Sequence, residues 1–138
     1  MKRESFEGLE CWKQARDLRK KISIITDEFH ESEKYLLKSQ IIRSSRSVTA
    51  NIAEGWGRYN FKENMRFCRI ARGSLFETLD HLITALDENY ITENQLTTIK
   101  NDVYDCVRVL NGYINFLKKQ GESIVNEPES TYFSGNNN

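Results

Sequence analysis

Asn51, Glu54 and Arg58 are the residues of this 138-residue chain whose types and spacing could do chemistry. They recur at helical spacing, so any helix that contains them puts all three on one face. A carboxylate beside a guanidinium and an amide is a general-base arrangement in outline. The support stops there. No histidine lies nearby, and no serine or cysteine has a base beside it in sequence. Glu54 and Arg58 form an i,i+4 pair with the acid N-terminal, which favours a helix by a few tenths of a kcal/mol at about the surface value. The triplet is expected to fix packing and register, no residue is assigned a catalytic role, and the chain is expected not to be an enzyme.

Other chemistries are missing their residues. His30 and His81 stand alone, with no HExxH spacing and no arginine five positions before either, as helical ribonucleases require. The glycines around Trp56 make neither a Walker loop nor a GxGxxG phosphate cradle. Metal-carboxylate bundles need ExxH pairs on facing helices, and none occurs. Cys11, Cys68 and Cys106 are odd in number, far apart and outside any CxxC pair. They are expected to be small core residues in a reduced, cytoplasmic protein. No metal and no cofactor are expected.

Charge is more informative. The chain is neutral overall, with 20 basic and 20 acidic residues. Residues 38–72 hold eight basic side chains against Glu54 and Glu63, while residues 73–105 hold seven acidic ones against Lys100. Neighbouring helices that neutralise each other would produce this, and so would a basic face that meets phosphate. Lys62, Arg66 and Arg69 share one face of the third helix, with Arg58 at the adjacent turn. Lys13, Arg16 and Lys20 make a similar line on the first. These seven are the candidate nucleic-acid-binding residues, able to hold phosphates without reading sequence. Trp56 and Tyr59 stand beside Arg58, where a ring could stack on a base, although a tryptophan closing a bundle seam is the ordinary reading.

The elements that would position these groups are helices. The one proline, Pro128, leaves the chain before it free of helix breakers. Apolar residues recur by threes and fours from Leu9 to Phe29, Glu33 to Trp56, Phe61 to Asn89 and Leu96 to Leu117. Ser32 is the expected N-cap of the second helix, and Gly55 and Gly57 its stop. Asn60/Glu63 and Thr92/Gln95 read as capping boxes opening the third and fourth. Short connections make neighbours antiparallel. The expected fold is all-α, an up-down-up-down four-helix bundle over residues 1–120, with a disordered tail over 121–138. No apolar run suits a membrane span, and from the charged start no signal peptide is expected.

The second helix carries two lines. Ile41, Ser45, Val48, Ile52 and Trp56 form an apolar seam. Ser44, Ser47, Asn51, Glu54 and Arg58 are small or polar at every step. A helix that only covered a core would need the first line alone. Folding the third helix back near Arg58 sets Ser44 and Ser45 opposite Gly73, with Ala71, Gly73 and Ser74 meeting the small residues. Close backbone approach there would explain a glycine that otherwise costs about 1 kcal/mol in a helix.

The segment SVTANIAEGWGR, followed by FCRIARGSLFETLDHL, resembles the proteins encoded in intervening sequences of bacterial 23S rRNA genes. The opening FEGLECWKQARDL is similar too, with Phe6, Leu9 and Trp12 on the family's Phe-x-x-Leu-x-x-Trp pattern. The similarity spans residues 6 to about 117. It implies a four-helix bundle that assembles as a homopentamer. It also implies kinship with the accessory proteins of diversity-generating retroelements, basic pentameric barrels that bind nucleic acid and a reverse transcriptase. The family usually carries proline where this chain has Thr49, so a straight second helix, or one bent by the Thr49 hydroxyl, is expected.

Two functions remain. The first is an oligomeric bundle that binds RNA or DNA through a basic face of the assembly. The second is a structural or adaptor module whose partner is another protein, with basic and acidic segments pairing across subunits.

Overall fold

The computed structural model describes residues 5–33 and 35–125. Four helices follow a short 3-10 turn at Phe6–Gly8: α1 Glu10–Thr26, α2 Leu37–Gly57, α3 Phe61–Asp87 and α4 Glu93–Val125, with a second 3-10 turn at Glu31–Glu33. Among the described residues there is no strand. Cross-helix contacts give the directions. Thr78 meets Ser44 and Ser74 meets Ser47, so α2 and α3 run antiparallel. Asn64 reaches Tyr113 and Phe76 meets Tyr104, which sets α4 antiparallel to α3. Lys38 pairs with Asp27 while Arg19 bonds Thr49, reversing α2 against α1. Lys21–Asp102 closes the ring of four. Helices α1 and α3 are therefore diagonal, their backbones apart and only their core side chains sharing the bundle interior.

Helix ends follow local chemistry, with three departures from the sequence reading. The Asn60 side chain accepts from Glu63 N at 3.0 Å, and Thr92 and Gln95 complete a reciprocal capping box at 3.1 and 2.9 Å. Ser32 does not cap α2. Its hydroxyl lies 3.0 Å from His30 Nδ1 at the 3-10 turn, and the helix starts five residues later, at Leu37, behind Leu36 with no side-chain cap. Nor do the glycines stop α2. Gly55 is inside the helix and Gly57 is its last residue. The left-handed turn falls on Tyr59, at φ 53°. α4 continues past Leu117, where its apolar run ends, through Gly121 to Val125, so the first residues of the expected tail are helical. The rest of the expected tail lies outside the described residues.

The core fills from all four helices. Ile22, Ile41, Ile52, Leu75, Leu82, Val103 and Leu110 are almost fully buried. All three cysteines are buried and free, packed as small apolar residues. Burial pushes the Cys11 thiol up to about 11 and those of Cys68 and Cys106 up to about 12. Thr49 leaves α2 unbroken from Leu37 to Gly57: its hydroxyl donates to the Arg46 carbonyl at 3.2 Å and accepts from Arg19 at 2.8 Å. The α1–α4 seam is the least filled. A groove of about 430 Å³ runs along it, lined by Ile24, Ile25, Ile99 and the Lys21–Asp102 pair. Among the described residues no helix is long and apolar enough to cross a membrane.

Candidate nucleic-acid interface

The polar line of α2 divides in two. Its first part is a buried ladder against α3. Thr78 Oγ1 donates between Ser44 Oγ and the Ser74 carbonyl, 2.8 Å from each. Ser47 Oγ lies 3.0 Å from Ser74 Oγ, and the Asn51 amide donates to the Ser47 carbonyl and hydroxyl at 2.8 and 2.9 Å. Ser44 satisfies its own proton on the Ile41 carbonyl at 3.1 Å. Every hydroxyl is paired, as burial demands. The second part is surface. Glu54 and Arg58 meet at 3.1 Å with half of each side chain exposed. Asn51, Glu54 and Arg58 thus form no joint network, because the helix rotates the last two out of the seam. A general base would need a partner to hold or tune it, and Glu54 has only this solvated arginine.

Gly73 is corrected as well. It is exposed, with nothing within 4 Å of where a Cβ would stand. Ser74 faces α2, and one residue back along a helix turns the chain by about 100°, so Gly73 faces solvent. The register also differs by about one turn, with Ser44 opposite Thr78 rather than Gly73. The close approach of α2 and α3 sits at the other end. A Cβ on Gly55 would fall 2.8 Å from Asn64 Oδ1, 2.9 Å from Phe67 Cβ and 3.1 Å from the Asn64 carbonyl oxygen. Beneath it, Asn64 accepts from Cys68 Sγ at 3.5 Å and donates to Tyr113 Oη at 3.1 Å. Burial pushes the Tyr113 hydroxyl up to about 12, with the Asn64 bond working the other way.

The seven basic residues do not form one patch. Lys13, Arg16 and Lys20 lie on the outer face of α1, while Lys62, Arg66 and Arg69 lie on the outer face of the diagonal helix. Arg58 and Arg66 are already engaged. Both guanidiniums sit over the Phe67 ring, at 5.1 and 4.5 Å, and they pair with Glu54 and Glu63. Lys13 pairs with Glu10 at 3.4 Å. Among the described residues, Arg16, Lys20, Lys62 and Arg69 make no ion pair. The structure adds two cations to the α1 set. Arg19 is anchored on Thr49, and Arg46, one turn before Thr49, turns outward beside it and makes no ion pair among the described residues. No spacing rule pairs residues 27 apart on different helices, and only the Arg19–Thr49 bond reveals the set.

Aromatic rings gather at one end of this face. Phe6 meets Trp12 edge-on at 5.2 Å, Trp56 and Tyr59 lie 5.7 Å apart, and the Arg16 guanidinium sits 5.7 Å from the Trp12 ring. Trp12 packs against the core and Trp56 is half-buried. No group of three His, Cys, Asp or Glu among the described residues could hold a metal ion.

A family model described as 23S rRNA-intervening sequence protein matches residues 7–112. The chain belongs to that family. The matched stretch runs from the opening 3-10 turn into α4, so this member of the 23S rRNA-intervening sequence proteins carries the ladder, Gly55 and the basic face within the shared region. A crystal structure of a protein of unknown function from the S23 ribosomal protein family of Bacteroides thetaiotaomicron is similar, at TM-score 0.70 and 24% identity over 76% of this chain and 95% of that one. At that identity the likeness speaks to the fold. No curated protein matches.

Proposed function

We propose that this family member is a non-enzymatic bundle that assembles with copies of itself, as a pentamer, and holds RNA or DNA by its phosphates through the α1–α2 face. The carrying observation is the group Arg16, Lys20 and Arg46, exposed along that face without ion-pair partners among the described residues. A neutral chain binds a polyanion only where charge is segregated, and five copies multiply such a face into a continuous potential. Self-association is supported on the far side. Phe76 and Tyr104 pack edge-on at 5.9 Å across α3 and α4 while still 41% and 49% exposed. The charge blocks point the same way. Among the described residues only Arg43–Glu77, at 3.6 Å, is an ion pair joining residues 38–72 to residues 73–105, which leaves Asp80, Asp87 and Glu93 available to other subunits.

A salt series with labelled RNA and DNA tests the reading. Affinity should fall steeply between about 50 and 200 mM salt, with a slope reporting the phosphates neutralised. Arg16→Glu with Arg46→Glu should abolish binding and leave the assembly intact by size-exclusion chromatography. Absence of binding, or loss of assembly on charge reversal, favours the adaptor reading instead.

A further inference from the structure

We infer that the nucleic acid taken by this face is single-stranded, its unpaired bases stacking on an aromatic corner of Trp12, Trp56 and Tyr59. The inference rests on the phosphate-binding reading above and adds a substrate class to it. The corner follows from register. Arg19 bonds Thr49 at 2.8 Å, which fixes the level of α1 against α2. Trp12 stands seven residues before Arg19 and Trp56 seven after Thr49. Seven residues are two helical turns to within about 20°, and the helices are antiparallel. Both tryptophans therefore come to the same level on the same seam, two turns below the Arg19–Thr49 bond.

Tyr59 completes the group. It is half exposed and holds φ 53°, a left-handed conformation that glycine adopts freely and a tyrosine rarely takes. That turn leaves its ring in solvent, 5.7 Å from Trp56. A ring that only closed the seam would be covered, as Trp56 is in part, whereas the Tyr59 ring is exposed. Cations flank the rings, with Arg16 against Trp12. The carboxylates at this end of the two helices, Glu10 and Glu54, are held by Lys13 and Arg58. An anion approaching the corner thus meets Arg16 without an ion-pair partner and both helix acids paired, with Glu7 of the 3-10 turn bonded to the Ser5 hydroxyl. Rings beside cations suit a strand whose bases are unstacked, since every base has a π-face and stacking tolerates any sequence. A duplex keeps those faces inside its own stack and can offer only phosphates.

The chain's two tryptophans both lie here, so intrinsic fluorescence reads the corner directly. The probes are an end-labelled RNA of about 20 nucleotides, the DNA of the same sequence, and the corresponding duplex, a length that spans the site of most single-strand binders. Both single strands should bind at least about 10-fold tighter than duplex at equal salt, and should quench tryptophan emission on binding. Tyr59→Ala, at an exposed position, should weaken single-strand binding by about 10-fold while duplex binding and the thermal melt stay unchanged. Either sugar serves the inference, and the tighter of RNA and DNA names the source. Equal affinity for single strand and duplex without quenching, or an unaltered Tyr59→Ala, overturns the inference and leaves phosphate binding standing. Binding of none of the three overturns both.

Discussion

The contact at Gly55 sets how α2 meets α3, and its replacement has a sign that can be worked out. A Cβ there would stand 2.8 Å from Asn64 Oδ1, 2.9 Å from Phe67 Cβ and 3.1 Å from the Asn64 carbonyl oxygen. Two of these are a backbone atom and a first side-chain carbon, which cannot swing aside. Overpacking costs about 1–3 kcal/mol, and immobile neighbours place this site near 3. Helix propensity returns about 1 kcal/mol when glycine becomes alanine. Gly55→Ala should therefore destabilise by about 2 kcal/mol net. Gly73 provides the control. It lies in a helix interior with open space at its Cβ position, so Gly73→Ala should stabilise by about 0.5–1 kcal/mol. The propensity gain is common to both variants, so their difference isolates packing. Urea unfolding followed by circular dichroism, at one fixed protein concentration because assembly adds to stability, measures it. At about 4 °C per kcal/mol, the two melting temperatures should separate by roughly 10 °C. If Gly55→Ala matches or exceeds the wild type, the close approach of the two helices is wrong.

Three further outcomes follow from described contacts. Thr78→Val should cost about 1 kcal/mol, and a double-mutant cycle with Ser44→Ala should give a coupling energy of about 0.5–1 kcal/mol, since the two hydroxyls share one bond; zero coupling would mean no ladder. Glu54→Gln should move stability by less than about 0.5 kcal/mol because its partner is as exposed as it is; a larger thermal-melt shift would place the pair in a buried assembly contact. Stability should be full below about pH 9 and fall as pH rises toward 12, because the buried thiols and Tyr113 stay protonated in the fold at pH values where the unfolded chain has ionised them. A lower urea midpoint at pH 10 than at pH 8 checks the sign, and an unchanged midpoint contradicts it.

Much of the fold was legible. Apolar spacing located all four helices, and Asn60 and Thr92 marked two starts correctly. Helix rotation is a local property, so the faces came out right wherever one stripe dominated. Register did not. The Ser44 and Ser47 line reads as small-residue packing in sequence, but which α3 residues oppose it depends on how the chain leaves α2. That exit is the left-handed Tyr59, which no turn rule assigns to a tyrosine. The error moved the expected close contact from Gly55 to Gly73. The basic residues failed for a related reason. Spacing within one helix shows which cations share a face. It says nothing about whether α1 and α3 are neighbours or diagonal, and diagonal helices split the candidate set in two.

The α1–α4 groove bears on how the chain assembles itself in time. Bonds between α2 and α3 span short stretches of chain, 34 residues from Ser44 to Thr78 and 27 from Ser47 to Ser74. The Lys21–Asp102 pair closes 81 residues. Closing the longer loop costs only about 0.8 kcal/mol more, but the seam it closes is the least filled and gives the least in return. The α1–α2 and α3–α4 pairs close loops as short, 30 residues from Arg19 to Thr49 and 28 from Phe76 to Tyr104, so on loop length the α1–α4 seam is the contact expected to form last. The same order run backwards makes the α1–α4 edge the place where the bundle first loosens.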